Sequence, residues 1–216
     1  MGPPGAGKGT QASRLAAERG LAHIATGDML RAAVAAGTEL GRRAQSIMAA
    51  GDLVPDDLIV AMIRERLGEP DAVSGFILDG FPRTQPQASA LESMLADQGR
   101  RIAAVLVFDI DPEVVIARLS GRRVCRAQGH VYHLEHNPPR TAGVCDVDGS
   151  ELYQRDDDQP DVIRTRYRKQ WQEAAAPVLE HYRDAGLVYD LDAARPVAAV
   201  AAEVDRLIDD LSGEAA

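Results

Sequence analysis

Cysteine is nearly absent from this chain: two residues in 216. That is too few for a disulfide framework, and a reducing cytoplasm is the expected setting. Long apolar runs are missing as well. No stretch approaches the ~20 residues of a membrane-spanning helix, and no signal-peptide pattern stands ahead of the first glycines, so no membrane partner is expected. Positive charge is in deficit: 24 Lys and Arg against 33 Asp and Glu leave a net charge of −9. A non-specific nucleic-acid binder would show the opposite balance, and no nucleic-acid partner is expected. Lysine is the scarcest cation, present only as Lys8 and Lys169. No Ser-His-Asp or Cys-His arrangement is evident, and no internal repeat or low-complexity tract breaks the chain. With 45% hydrophobic and 26% charged residues, the composition is that of one large globular domain or a core with small inserts.

One of the two lysines sits in the most informative stretch, Gly2-Pro3-Pro4-Gly5-Ala6-Gly7-Lys8-Gly9-Thr10. Glycines allow positive φ and turn backbone N–H groups inward to form an anion nest. The helix expected to follow aims its positive dipole end at the same place. Lys8 can reach the β- and γ-phosphates of a nucleotide, and a loop hydroxyl can ligate Mg²⁺. The strict pattern places Ser or Thr directly after the lysine; here Gly9 intervenes and Thr10 follows. Such a loop normally leaves a buried parallel strand, yet only Met1 precedes Gly2. One residue cannot supply a strand, so the first strand of the sheet is expected to be lacking, with the natural start lying upstream.

Alternation of apolar strands and amphipathic helices runs through the rest. Strands are expected at 21–24, 76–78, 104–108 and 188–190. Helices are expected over 10–20, from Asp28 as N-cap to Ala50, over 58–67 with Asp56 as its cap, over 85–98 and 112–120, from 159 to about 185, and over 196–211. The pattern predicts an α/β fold, a doubly wound parallel sheet of the P-loop NTPase type. Between Gly121 and about Asp158, Gly, Pro, His and Tyr replace helical periodicity. A small inserted β module is expected there, with Tyr132, Leu134, Leu152 and Tyr153 as its core. In open α/β sheets ligands gather at the carboxyl ends of the strands, which places Asp79 and Arg83 beside a nucleotide. Arginines at 31, 83, 118, 122, 155 and 166 each stand next to a loop or a helix end. A phosphate loop, a strand-end carboxylate for a Mg²⁺ shell and several arginines suit phosphoryl transfer, which needs in-line placement and stabilisation of spread negative charge.

These motifs, in this order, strongly resemble adenylate kinase in its long form with a full lid: GPPGAGKGT at 2–10, TGDMLR at 26–31, GDLVPD at 51–56, DGFPRT at 79–84, GRR at 121–123, YHLEHNPP at 132–139 and RDDD at 155–158. The resemblance implies reversible transfer between ATP and AMP to give two ADP, with Mg²⁺, in a cytoplasmic monomer. It implies a core of 1–24, 55–120 and 159–216, an AMP-binding insert at 25–54 and a lid at 121–158. Gly5, Ala6, Gly7, Lys8, Gly9 and Thr10 would hold the ATP phosphates. Arg118, Arg122, Val131, Tyr132 and Arg195 would serve the rest of ATP. Thr26, Arg31, Asp52, Leu53, Val54, Gly80, Phe81, Pro82, Arg83, Gln87, Arg155 and Arg166 would bind AMP. Lys8, Arg83, Arg122, Arg155 and Arg166 would be catalytic, and Asp79 would orient Mg²⁺ through water. Two other readings stay open on the residues: a UMP/CMP or GMP kinase, and a nucleotide-binding protein without turnover.

The lid raises a separate question. Cys125-x₂-Gln128 and Cys145-x₂-Asp148 each end in a glycine, Gly129 or Gly149. In zinc-bearing members of the family the four positions hold three cysteines and a cysteine or aspartate. A neutral amide at Gln128 is a poor zinc ligand. The expectation is therefore a lid without structural metal, with Cys125, Cys145 and Asp148 as ligands only if zinc is present and His130 or His133 as substitutes for the fourth.

Overall fold

The computed structural model describes residues 1–213. α1 (Lys8–Arg19) starts where Gly7, at φ 88°, turns the chain out of the glycine loop. It ends at Gly20, whose left-handed backbone lets its N–H reach the Ala16 carbonyl. Ala12, Leu15 and Ala16 are buried at helical spacing. β1 (Ala22–Ala25) follows and pairs in parallel with β2 (Phe76–Asp79), Ala25 lying opposite Asp79. β3 (Val105–Asp109) pairs in parallel with β7 (Val188–Asp192). The parallel α/β architecture expected from the sequence is thus present, with strands at all four expected places.

Among the described residues no strand joins the two parallel pairs. Met1 alone adds to the edge of β3 that faces away from β7. Its α-amine donates to the Leu106 carbonyl and its own carbonyl accepts from Phe108 N–H at 2.9 Å. Burial, then repulsion from Lys8, lowers the pKa of this amine to about 5. The apolar layers divide in the same way. Ile24, Ile63, Leu67, Leu91 and Leu95 pack around β1 and β2, while Leu15, Phe108, Val115, Leu119, Ile163 and Leu191 pack around β3 and β7.

Several helix starts differ from the sequence expectation. α2 (Thr26–Ala35) begins two residues before Asp28, with Ala25 as a cap that offers no side-chain bond. Asp28 instead accepts from Arg31. α3 (Glu39–Ala49) is a separate helix, because Gly37 takes φ 62° and the Thr38 hydroxyl caps the new start by accepting from Gly41 N–H. Asp56 is the first residue of α4 (Asp56–Leu67) rather than its cap; its carboxylate accepts from the side chains of Thr84 and Gln87. Thr84 caps α5 (Gln85–Ala96) and Asp111 caps α6 (Pro112–Ser120), each by its side chain.

β4 (Arg122–Cys125), β5 (Val131–His133) and β6 (Leu152–Tyr153) form a separate antiparallel sheet. Its small core holds Tyr132 and Leu152, as expected, but is completed by Cys125 and Cys145. Leu134 is 53% exposed and takes no part. The long helix after the lid is composite: α7 (Pro160–Arg166), a π-helical stretch (Tyr167–Ala175) and α8 (Ala176–Asp184). Pro177 lies in the first turn of α8, where its missing N–H falls at the change of hydrogen-bond pattern. α9 (Val197–Gly213) covers β7 through Val200 and Val204.

α2 and α3 meet at Gly41. A Cβ there would stand 2.1 Å from the Ala33 carbonyl oxygen and 2.5 Å from Val34 N. Gly41→Ala is expected to lower stability by about 1–3 kcal/mol, the usual cost of overpacking. An unchanged urea midpoint would show that the two helices part without cost.

Candidate active site

The glycine loop, the carboxyl ends of β1 and β2, the α2–α3 pair and the lid sheet surround one cleft of about 2290 Å³. The same cavity also runs between the two strand pairs, past Leu15, Ile77, Leu106 and Tyr182, so the volume is not that of the substrate cleft alone. All the residues expected at the site line this cleft except Ala6. Ala6 is buried in the core and donates its N–H to the Pro3 carbonyl at 3.3 Å.

The loop needs its glycines individually. Gly5 has φ 78° and approaches Leu119 so closely that a Cβ would meet its Cγ at 2.8 Å. Gly9 explains the departure from the strict motif: a Cβ there would stand 3.1 Å from Asp79 Oδ2. A hydroxyl side chain at this position would crowd the strand-end carboxylate against the loop. Lys8 folds back over the loop, its Nζ donating to the carbonyls of Gly2 at 2.8 Å and Pro3 at 2.6 Å. Burial lowers its pKa to about 8, and Arg83, Arg166 and Arg122 push the same way against the attraction of Asp79. Burial raises the Asp79 pKa, but the adjacent His23 ring, Lys8 and the α-amine outweigh it and keep the carboxylate ionised. A Mg²⁺ shell at this point therefore fits the donor present.

Opposite the loop stand five arginines. Arg83 donates through Nε to the Gly80 carbonyl at 2.7 Å and through Nη1 to Gln170. Among the described residues no carboxylate pairs with it. Burial, then repulsion from Arg166, lowers its pKa to about 10. Arg155 is brought to about 10 by burial and by Arg31 and Arg122; its nearest carboxylate is Asp28 at 3.6 Å, and its Nε is buried with no partner among the described residues. Arg122 makes a two-pronged bond to Asp158, at 2.8 and 2.6 Å. Arg166 pairs with Asp157 at 3.0 Å, and Arg31 pairs with Asp28. These cations belong to α2, the β2–α5 loop, β4, the lid's exit and α7, so the fold alone brings them together.

Other expected residues are placed less simply. Thr26 is buried and its hydroxyl donates to the Gly80 carbonyl at 3.1 Å. Gln87 is buried, accepts from Arg83 N–H at 2.8 Å and donates to Asp56. Asp52 is tied to Lys169. Arg118 donates to the Ala193 carbonyl at 2.9 Å, beside Arg195, which pairs with Glu203. Val131 is exposed, whereas the Tyr132 hydroxyl accepts from Asp146 N–H at 2.8 Å. Leu53, Val54, Gly80, Phe81 and Pro82 line the same cleft as Thr26 and Arg83. Thr10 lies at the loop's end.

Sequence reasoning missed the residues that hold the arginines in place. Gln170, on the π-helical stretch, accepts from Arg83 and donates to the Gly51 carbonyl at 2.7 Å. Nothing in its surroundings in the sequence distinguishes it. Asp157 and Asp158 carried a signal, a run of three carboxylates directly after Arg155, that could have been read as counter-charge.

A family model described as Adenylate kinase matches residues 1–187. An adenylate kinase of Archaeoglobus fulgidus is 46% identical over 209 residues, 97% of this chain and 96% of that protein. One of Lysinibacillus sphaericus is 48% identical over 208 residues, covering 96% and 95%. One of Streptomyces griseus is 48% identical over 203 residues, covering 94% and 92%. With a phosphate loop and an arginine cluster facing one cleft, and with relatives matching over nearly its whole length, the chain belongs to the adenylate kinase family.

Proposed function

We propose that the chain catalyses Mg²⁺-dependent, reversible phosphoryl transfer from ATP to AMP, giving two ADP and so balancing adenine nucleotides. The observation that carries this reading is Arg83: a half-buried cation without a carboxylate partner among the described residues, lining the same cleft as the phosphate loop. A buried, unpaired charge is costly, and an anionic phosphate between Arg83 and Lys8 relieves both at once.

ATP lies on the loop backbone from Gly5 to Thr10, with Lys8 following the charge onto the transferred group. Arg118, Arg122, Val131, Tyr132 and Arg195 flank its remainder. AMP lies along Thr26, Arg31, Asp52, Leu53, Val54, Gly80, Phe81, Pro82, Arg83 and Gln87. Arg155 and Arg166 bridge the two substrates. Asp79 would hold the water shell of a Mg²⁺ arriving with ATP, which would supply neutralisation of phosphate charge. The AMP phosphate is already ionised at neutral pH, so the acceptor oxygen attacks without a general base. The arginines then meet charge spread over the transferred group with donors oriented beforehand. Residues 25–54 and 121–158 close over the core of 1–24, 55–120 and 159–216, which keeps water from taking the phosphoryl group. The enzyme works as a cytoplasmic monomer; among the described residues no helix is long and apolar enough to cross a membrane.

Coupled turnover of ATP with AMP, UMP, CMP and GMP tests this directly. AMP is expected to be the preferred acceptor by a wide margin, and ATP-plus-AMP turnover at background level would sink the reading. Arg83→Ala is expected to lower kcat by about 10²–10³-fold, the cost of one lost transition-state donor, and Arg83→Lys to recover only part of it. Equal turnover by Arg83→Ala would remove Arg83 from the catalytic set.

Lys8 gives a pH signature. Its pKa is about 8 in the free protein against an ordinary value of 10.5. Between those values the unfolded chain holds more proton than the folded one, so stability rises with pH there, by at most about 1.4 kcal/mol per pH unit. A phosphate beside Lys8 favours the ammonium, so ATP binding near pH 9 (about one unit above the free value) takes up a proton. Calorimetry in buffers of different ionisation heat should register that uptake in the native protein and lose it in Lys8→Met. Equal proton uptake by both proteins would place the titration elsewhere.

A further inference from the structure

Four of the five arginines at the cleft stand beside a carboxylate. Arg31 and Arg155 have Asp28, Arg122 has Asp158, and Arg166 has Asp157. Arg83 differs. Among the described residues its hydrogen bonds go to neutral acceptors: Nε to the Gly80 carbonyl, Nη1 to Gln170 Oε1, and its backbone N–H to Gln87 Oε1. Gln170 is buried and spends its other end on the Gly51 carbonyl, to which Nε2 donates at 2.7 Å. A guanidinium only donates and a carbonyl only accepts, so these two partners fix which way the amide points. Gly51 is itself seated on the helical rod that carries Gln170. At φ 76°, a Cβ there would meet Arg166 Cγ at 2.9 Å and Val162 Cγ1 at 3.0 Å. The next residue, Asp52, pairs with Lys169, the neighbour of Gln170.

We propose that Gln170 is a positioning residue for AMP: its neutral amide holds Arg83 for the phosphate without neutralising it, and ties that arginine to the 51–54 segment of the AMP site. This role rests on the ATP-to-AMP reading above, because Gln170 acts through Arg83 and Arg83 must have a phosphate to meet. The amide suits both of its partners at once. A carboxylate at 170 would accept from Arg83 but would set an oxygen against the Gly51 carbonyl. Its charge would also compete with the phosphate for the guanidinium, since a carboxylate pairs with arginine as strongly as a phosphate oxygen does. An aliphatic side chain would take one partner away from both Arg83 Nη1 and the Gly51 carbonyl. Neutrality at 170 therefore leaves the attraction of Arg83 for the substrate undivided. One group also holds both the arginine and the turn that leads into Leu53 and Val54, which line the cleft.

The full chain is titrated calorimetrically with AMP and, separately, with Mg²⁺ and ATP, as the native protein, as Gln170→Glu and Gln170→Leu, and with each change placed in an Arg83→Ala background. Gln170→Glu is expected to weaken AMP by about tenfold or more, the scale of one charge-assisted hydrogen bond, while ATP affinity stays within about twofold of native. Gln170→Leu, which removes both bonds and adds no charge, is expected to weaken AMP by less. With Arg83→Ala already present, either change should alter AMP affinity by less than about twofold, because the partner through which Gln170 acts is gone. A defect in folding alone would lower both affinities and persist in the Arg83→Ala background, and melting of each variant reports folding directly. Native AMP affinity in both Gln170 variants, an equal loss for ATP and AMP, or losses that add to that of Arg83→Ala would each overturn the proposal while leaving the ATP-to-AMP reading in place. A native chain that binds no AMP would sink both.

Discussion

Like charges converge around the cleft of this acidic protein, and much of the structure answers to that repulsion. Arg31, Arg83, Arg122, Arg155 and Arg166 come from different segments, and burial together with the like charges around them lowers the proton affinity of Arg83, Arg155 and Arg166. Their positions are set by carboxylates and carbonyls behind them: Asp28, Asp157, Asp158, Gly80 and Gln170. Asp158 is fully buried beneath Arg122 and Arg166. Removing it would leave two guanidinium groups without their shared counter-charge, a larger loss than that of a surface pair. The counter-charges do not balance the cations, and the surplus faces the cleft. An anionic substrate therefore supplies what the empty site lacks.

The same logic accounts for the loop. Lys8 spends its donors on the carbonyls of Gly2 and Pro3, so it waits in place rather than in solvent. A Cβ at residue 9 would stand 3.1 Å from Asp79 Oδ2, so a side chain there would press on the carboxylate. A motif that departs from the strict pattern by one position is thus a local packing solution: the space a hydroxyl would take is given to the carboxylate.

Much of this was legible in the chain itself. The strands at 21–24, 76–78, 104–108 and 188–190 announced themselves as short apolar runs, and the phosphate loop and the arginines beside strand ends marked the cleft. Less visible were features set by tertiary contact. Asp56 looks like a helix cap in sequence, but it spends its carboxylate on the side chains of Thr84 and Gln87. Leu134 has the composition of a core residue and lies exposed, while two cysteines take over the small core of the lid. Gln170 has no periodicity or motif to mark it, because its role depends on Arg83 and Gly51, 87 and 119 positions away.

The nine-residue π-helical stretch between α7 and α8 sets a rotational phase. Upstream of it Arg166 points at the cleft, and downstream Val178 and Tyr182 are buried against β3. A wider helical winding takes up more residues per turn than an α-helix, so it changes the angle at which one face leaves and the next arrives. The stretch thereby lets a single rod present a charged edge to substrates and an apolar edge to the sheet. Substitutions within it can leave composition intact while altering the timing of those two faces, and a loss or gain of one residue there would turn one end of the rod against the other.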